Sequence, residues 1–502
     1  MFDLLVIGGG INGCGVARDA AGRGLSTILV EQNDLASATS SASTKLIHGG
    51  LRYLEHYDFK LVKSALDERE VLLRSAPHII WPMEFILPHD QNLRPKWMIR
   101  TGLFLYDFLG KRTILPRSRG VDLKIHPAGA PLKNGYTDGF SYADCWADDA
   151  RLVALCAMDA HEKGASIRTQ TRATKITVSE DKASWVVTLH ARKGDAHYDI
   201  QAKMLINAAG PWVRAILDHN TLTRANTWGI RHSKGSHIVI PKLYDGAHAY
   251  ILQQPDGRII FTIPYEHDYT LIGTTDEALA SGFDKPQISD GEINYLCQAS
   301  SRSFNTPILK DMIIWSYSGV RGLLDSGDDK LSEVTRDYKL DLETGFGPPL
   351  LNIFGGKLTT FRKLSEQVGD MVCDVLEHAA KAWMVQAALP GGDIENADFD
   401  EFVKQCAAQY KFLPDRVLHR YARAYGTRIH RLMANISSIT QMGEHYGDDV
   451  YEAELRYGVM HEWVREADDF LWRRSKLGLH ISAATYDNVI KAVDEIIKGT
   501  SL

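Results

Sequence analysis

Gly8, Gly10 and Gly13 stand in the pattern G-x-G-x-x-G directly after an apolar run of strand length, FDLLVI. The chemistry that spacing serves is the binding of a dinucleotide diphosphate. Gly8 permits a tight turn, Gly10 lets main chain approach the pyrophosphate, and Gly13 lets the next helix pack close to the strand. Asn12 falls inside the same turn and counts with the glycines as a cofactor contact. The anion would rest on unpaired N–H groups at the positive end of a helix dipole. Glu31 closes the following apolar run, residues 26–30, and is placed to accept a hydrogen bond from a ribose hydroxyl. A plain strand–helix–strand turn has no use for that acid.

These groups need a strand, a small-residue helix over about residues 11–21, and a second strand ending at the acid. A hydroxyl-rich tract follows, with Thr39, Ser40, Ser43 and Lys45, and runs into Leu46, Ile47, His48, Gly49 and Gly50. In an extended flavin, the hydroxyls and N–H groups of such a loop bind the pyrophosphate and ribityl chain. Gly49 and Gly50 would let backbone pass close to a flat ring, with His48, Arg52 and Tyr53 as candidates to face it. Further on, Gly355, Gly356, Lys357, Leu358 and Thr359 follow an apolar strand at 350–354 and open a helix reaching about residue 379. Their N–H groups are suited to stabilise negative charge that collects on a reduced ring.

The chain has 502 residues, enough for two or three domains. A net charge of −6 argues against general nucleic-acid binding. Six scattered cysteines without a C-x-x-C pair favour a reducing compartment over a metal site or a disulfide framework. The first strand begins at the N-terminus, which leaves no room for a signal peptide. No apolar run approaches the roughly 20 residues of a spanning helix.

Residues 60–75 read as an amphipathic helix. Residues 93–119 combine Trp97, Met98, Phe104 and Phe108 with Arg94, Lys96, Arg100, Lys111, Arg112, Arg117 and Arg119, and Asp107 is the only acid. Such a segment suits the headgroup layer of an anionic membrane. Asp148 and Asp149 read as N-terminal caps of a helix, and residues 165–200 as a small antiparallel meander. Residues 204–213 form a second apolar run, where Ala208, Ala209 and Gly210 are small enough to leave room for a cofactor. Residues 228–340 alternate as in a mostly antiparallel sheet with one wet face. The breaker cluster 389–392 marks a boundary, and the remainder has helical periodicity throughout.

The stretches GGGINGCGVARDAAGRG, TSSASTKLIHGGLRYLE, YSGVRGL, FGGKLTTFRKL and HEWVREADDFLWRR resemble the FAD-dependent glycerol-3-phosphate dehydrogenases, in particular the respiratory, quinone-linked bacterial type. The resemblance covers nearly the whole chain. It implies an α/β fold: an FAD-binding Rossmann-like domain of the glutathione-reductase and D-amino-acid-oxidase kind, a mostly antiparallel substrate domain, and a C-terminal all-helical cap. The expected units are residues 1–80, 140–215 and 345–385 for FAD, 81–139 and 216–344 for substrate and membrane, and 389–502 for the cap. Ala173 lies where similar flavoproteins place a main-chain contact to adenine.

The resemblance also implies non-covalent FAD, glycerol 3-phosphate as substrate and a quinone as acceptor. It further implies a peripheral place on the cytoplasmic face of the inner membrane, and a homodimer is compatible with it. It sets Arg52, Tyr53, Arg321, Arg336, Lys357 and Thr359 around the substrate. Arginine binds phosphate bidentately and stays charged, so the residue types agree. For the base, His237 stands first because a neutral imidazole suits physiological pH, and His48 second. Arg321 or Lys357 could instead stabilise the developing alkoxide. The rival reading is an FAD oxidase of the same fold that uses oxygen. No hydrolase-like carboxylate pair and no metal-ligand cluster stands out.

Overall fold

The computed structural model describes residues 1–51, 54, 58–90, 94–110, 113–223, 228–279, 284–325, 338–345 and 347–500. Arg52, Tyr53, Lys111, Arg112 and Arg336 lie outside the described residues. Phe2–Ile7 is apolar without alternation because both its faces are covered, and Leu4, Leu5 and Val6 are fully buried. It pairs in parallel with Thr27–Val30 on one side and Ala196–Asn207 on the other. In space the sheet runs Lys339–Glu343, Leu350–Phe354, Ala196–Asn207, Phe2–Ile7, Thr27–Val30, Ser166–Arg168. The expected meander is present: Thr171–Val178, Trp185–Ala191 and Ala196–Asn207 pair antiparallel in turn. The helices Ile11–Gly22, Asp149–Glu162 and Phe361–Val375 share one apolar core with this sheet.

A second sheet runs Glu277–Leu279, Ile230–Pro241, Tyr269–Gly273, Ile259–Tyr265, Ala249–Gln253, Ile80–Pro88, Asp138–Ala147, Leu46–Ile47. Trp315–Leu324 adds to it along Ile230–Pro241. The pairing is antiparallel except where Ala249–Gln253 meets Ile80–Pro88. The wet face expected from alternation is absent among the described residues. One face carries Ile238, Ile240, Ile260 and Ile272 against the helix Asp290–Ser301. The other carries Val239, Ile263 and Leu271 in a core shared with Phe59–Ser75 and Lys96–Leu109. Alternation reported the strand period, but one covering helix, Asp290–Ser301, lies within the same segment and the others, Phe59–Ser75 and Lys96–Leu109, come from earlier in the chain. Three strands fall across the boundaries drawn from sequence: Leu46–Ile47 and Asp138–Ala147 pair within the second sheet, and Lys339–Glu343 within the first.

The C-terminal part is helical, with Phe399–Gln409, Asp415–Tyr425, Glu452–His461 and Ala483–Gly499. It also holds a small hairpin, His445–Gly447 with Val450–Tyr451, and a π-helical turn at Asp469–Arg474. A buried ion pair joins this part to the helix Asp149–Glu162. Arg151 meets Glu462 at 2.6 Å with both side chains essentially inaccessible.

Candidate active site

The nucleotide end is built from main chain. Gly8 has φ +114°, and a Cβ there would lie 2.6 Å from the Ala208 carbonyl oxygen. A Cβ on Gly13 would lie 1.9 Å from the Gly8 carbonyl oxygen, so close helix–strand packing forbids one. Above Gly10 the nearest atom is the Ser40 hydroxyl, 3.1 Å from a built Cβ. That hydroxyl accepts from the Ile11 N–H at 3.0 Å, at the start of the helix. Glu31 accepts from the N–H of Gly9 (2.7 Å) and of Asn33 (2.8 Å), which pins the acid to the glycine turn. Burial pushes the Glu31 carboxyl up, and the two N–H donors oppose that shift.

The same turn collects distant segments. The Ala208 N–H donates to the Ile7 carbonyl at 2.9 Å, which brings Ala209 and Gly210 to the glycines. Thr171 donates to the Glu31 carbonyl at 2.8 Å and carries the strand with Ala173 to the acid. Asn12 donates to the Gly355 carbonyl at 3.1 Å, and a Cβ on Gly356 would lie 2.7 Å from its amide. The Asn12 Oδ1 is buried and accepts no hydrogen bond from the described residues. An extended dinucleotide fits this cradle: bare glycine backbone, a helix start, an anchored acid and an orphaned amide oxygen converge on it.

The hydroxyl-rich loop is held from within. Thr39 donates to the Val320 carbonyl at 2.6 Å. Ser43 donates to Asp149 at 2.7 Å, and the Lys45 amine reaches the same carboxylate at 2.8 Å and the Ser41 carbonyl at 3.0 Å. Lys45 and Asp149 are both buried. Ser43 and Lys45 therefore turn their side chains inward, to the loop's own anchor. Of the two acids read as caps, Asp148 accepts from the Arg151 N–H at 3.2 Å, as expected. Asp149 is the anchor of the loop, and no spacing in the sequence announces that role.

Two of the residues expected at the reacting end, His237 and Arg321, lie on the Ile230–Pro241 and Trp315–Leu324 pair. His237 stands opposite Tyr317, Gly235 opposite Gly319, and Ser233 opposite Arg321, so these side chains share one face. The loop lies on that face: the Tyr317 hydroxyl donates to the Ser43 carbonyl at 2.8 Å. Arg321 stretches over Gly235, where a Cβ would sit 2.7 Å from Nη2, and reaches Asp276 at 3.4 Å. Asp276 also accepts from the Ser233 hydroxyl. His237 stacks on Tyr317, with centroids 4.8 Å apart, and its Nε2 meets the Thr44 hydroxyl at 3.0 Å. Burial, then the charges of Arg321 and Lys45, hold this imidazole well below 6.5 and so neutral. Its Nδ1 is buried without a partner among the described residues.

A third element closes the crevice. Gly355 and Gly356 take φ +76° and +105°, and Lys357 and Leu358 follow half-buried. The Thr359 hydroxyl accepts from the His48 N–H at 3.4 Å and faces its carbonyl at 3.5 Å. Gly49 packs against Leu66 and donates to the Tyr106 hydroxyl at 2.7 Å, so its bareness serves helix packing. Leu46 pairs with Trp146 in the second sheet. A cavity of about 380 Å³ opens beside the loop, lined by Thr39, Trp212, Trp315, Tyr317 and Trp472. Ser40, whose hydroxyl faces the crevice, is not among its walls.

Sequence reasoning missed how the C-terminal part fastens the nucleotide loop. Asp34, three residues beyond Glu31, is buried and accepts from Arg473 at 2.5 Å and from Arg474 at 2.7 and 2.9 Å. Arg474 donates onward to the Glu462 carbonyl. The signal was present in HEWVREADDFLWRR, read as packing because helical periodicity explained its aromatics.

Residues 3–362 match the family model described as FAD dependent oxidoreductase, and residues 385–500 the one described as C-terminal domain of alpha-glycerophosphate oxidase. The chain is 48% identical to D-erythritol 1-phosphate dehydrogenase of Brucella abortus (strain 2308), over 96% of this chain and 95% of that one. It is equally 48% identical to aerobic glycerol-3-phosphate dehydrogenase of Escherichia coli (strain K12), with the same coverage of 96% and 95%. Among solved structures, glycerol-3-phosphate dehydrogenase from Bacillus halodurans complexed with FAD superposes with a TM-score of 0.78 at 28% identity, over 100% of this chain and 92% of that one.

Proposed function

The chain belongs to the FAD-dependent glycerol-3-phosphate dehydrogenase family, and from that footing we propose that it oxidises sn-glycerol 3-phosphate to dihydroxyacetone phosphate and passes the electrons to a membrane quinone. FAD, when bound, supplies the acceptor for the hydride that leaves C2 of the substrate. One observation carries the reading. The Arg321 guanidinium, held by Asp276, shares a sheet face with a neutral buried His237, directly beside the loop that closes the nucleotide crevice.

A phosphate dianion needs fixed positive charge, and Arg321 supplies a planar, permanently charged fork. Arg52, Tyr53, Arg336, Lys357 and Thr359 complete the proposed pocket. His237 is the proposed base: its neutral ring can take the alcohol proton at Nε2, where it meets the Thr44 hydroxyl. Its weak basicity requires that the alcohol's own proton affinity be lowered, and the charge of Arg321 does that.

The helix Lys96–Leu109 supports a peripheral membrane site on the cytoplasmic face of the inner membrane. Trp97 is 71% exposed and Phe104 and Phe108 are each 54% exposed. Asp107 is buried and accepts from Ser118, so the segment's acid does not oppose an anionic surface. No helix among the described residues is long and apolar enough to cross a membrane. Trp97→Ala combined with Arg100→Glu should lower co-sedimentation with anionic vesicles, and unchanged binding would move the contact elsewhere.

A second substrate has support from the Brucella abortus relative: D-erythritol 1-phosphate offers the same phosphate and secondary alcohols on a longer carbon chain. Anaerobic titration of the FAD-loaded protein separates the cases. Glycerol 3-phosphate should bleach the visible flavin absorbance, and a quinone analogue should restore it. Bleaching by D-erythritol 1-phosphate alone transfers the activity to that substrate, and bleaching by neither overturns the reading. Stoichiometric hydrogen peroxide without quinone would make oxygen the acceptor.

A further inference from the structure

His190 and His197 stand directly opposite one another on the antiparallel strands Trp185–Ala191 and Ala196–Asn207. Directly opposed residues leave the same face of a ladder, so the register alone brings the two imidazoles together. Their rings are nearly parallel, 9° apart, with centroids at 4.4 Å. Asp195, in the turn that joins the strands, reaches back so that its Oδ1 lies 2.6 Å from His190 Nε2. One nitrogen from each ring and one carboxylate oxygen all lie within 4.8 Å of one another.

We propose that His190, His197 and Asp195 form a binding site for one divalent transition-metal ion, of the zinc, copper or nickel class. Two imidazoles and a carboxylate are the donor set those ions prefer, whereas magnesium and calcium prefer oxygen alone. Ligand distances of about 2.0–2.2 Å are reached by side-chain rotation, because the ladder already fixes the backbones. Asp195 and His197 are exposed, so an ion enters without any opening of the fold, and water fills the remaining position. All six cysteines are buried and do not compete at the surface. The site is independent of the flavin chemistry. Ala196–Asn207 approaches the glycine turn only at its opposite end, where Asn207 precedes Ala208. A bound ion would fasten the hairpin at its tip. The sequence conceals the site because the two histidines become neighbours only through the strand register.

Full-length, FAD-loaded protein stripped with a chelator is titrated with ZnCl2 by calorimetry. The expected result is saturable binding of one equivalent, with no heat from MgCl2. His190→Ala and His197→Ala should each weaken Zn2+ binding by at least about 10-fold, while flavin reduction by substrate and the circular dichroism spectrum stay unchanged. With Cu2+, electron paramagnetic resonance should show coupling to two imidazole nitrogens in the parent and one in either variant. Absence of saturable Zn2+ binding overturns the proposal, and so does undiminished affinity in both variants.

Discussion

At the nucleotide end of the crevice, Gly8 and Gly13 leave space that neighbouring main chain fills to within 2.6 and 1.9 Å of a built Cβ. At the proposed reacting end, Arg321 leans on Asp276, Asp276 on Ser233, His237 on Thr44 and Tyr317, and the loop beneath on a buried Lys45–Asp149 pair. The first end works by the absence of side chains and the second by side chains that hold each other. Backbone packing tolerates no added atom, because main chain cannot rotate away. A network of charges tolerates some loss, because water and remaining partners compensate in part. The two ends should therefore fail differently when perturbed.

The largest effect is expected at Gly13. Gly13→Ala places a methyl group against the Gly8 carbonyl and should cost more than the roughly 1–3 kcal/mol of ordinary overpacking. Purified protein without flavin would fit, and full flavin loading would break the contrast. Next comes Arg321→Ala, which removes a charge-assisted partner of the phosphate and should lower kcat/KM by about 1.5–3 kcal/mol, roughly 10- to 150-fold, with flavin loading intact. An unchanged KM for glycerol 3-phosphate would take Arg321 out of the pocket.

Asp34→Asn tests whether side-chain clamping also matters at the nucleotide end. It leaves the buried Arg474 with a neutral partner, and FAD affinity should drop by about 10-fold, which Asp34→Glu should partly restore. Lowered thermal stability with unchanged FAD affinity would confine the clamp to domain docking.

The smallest effect is on pH dependence. Burial holds His237 well below 6.5, and burial with Arg151 and Arg423 lowers His78 to about 3. The unfolded chain then binds protons that the folded one refuses. The stability these groups contribute is full above the unfolded value and falls as pH drops below it. The loss is about 1 kcal/mol per histidine by roughly pH 5.8. Denaturant midpoints that stay level across this range would contradict the buried neutral rings. In the same reading kcat/KM shows no ionisation of the base near 6.5, because His237 is already free base there.

The glycine turn, Glu31 and the strand–helix–strand unit were legible because each constraint is local: a turn needs bare backbone within a few residues, and the acid ends the very next strand. The arginine at 321 was legible as a type of residue beside Gly319, but its partner was not. Asp276 meets it because Ile230–Pro241 pairs with Trp315–Leu324 along one edge and with Glu277–Leu279 along the other. Asp149 looked like a cap because a helix start explains an acid locally, while its partner Lys45 lies on a distant loop. A Cβ on Gly49 would meet Leu66, a packing constraint that no local pattern announces.

By itself, then, the sequence determined the backbone chemistry: where the chain must turn, where a diphosphate can rest, and which residue types are charged enough to hold a phosphate. Only the tertiary structure decided which charges are spent on one another. It set Asp34 on Arg474, Lys45 on Asp149, and His190 beside His197. The reason is physical: conformational constraints act between neighbours in the chain, whereas Coulomb pairs and ligand sets depend on distances that register and packing alone establish.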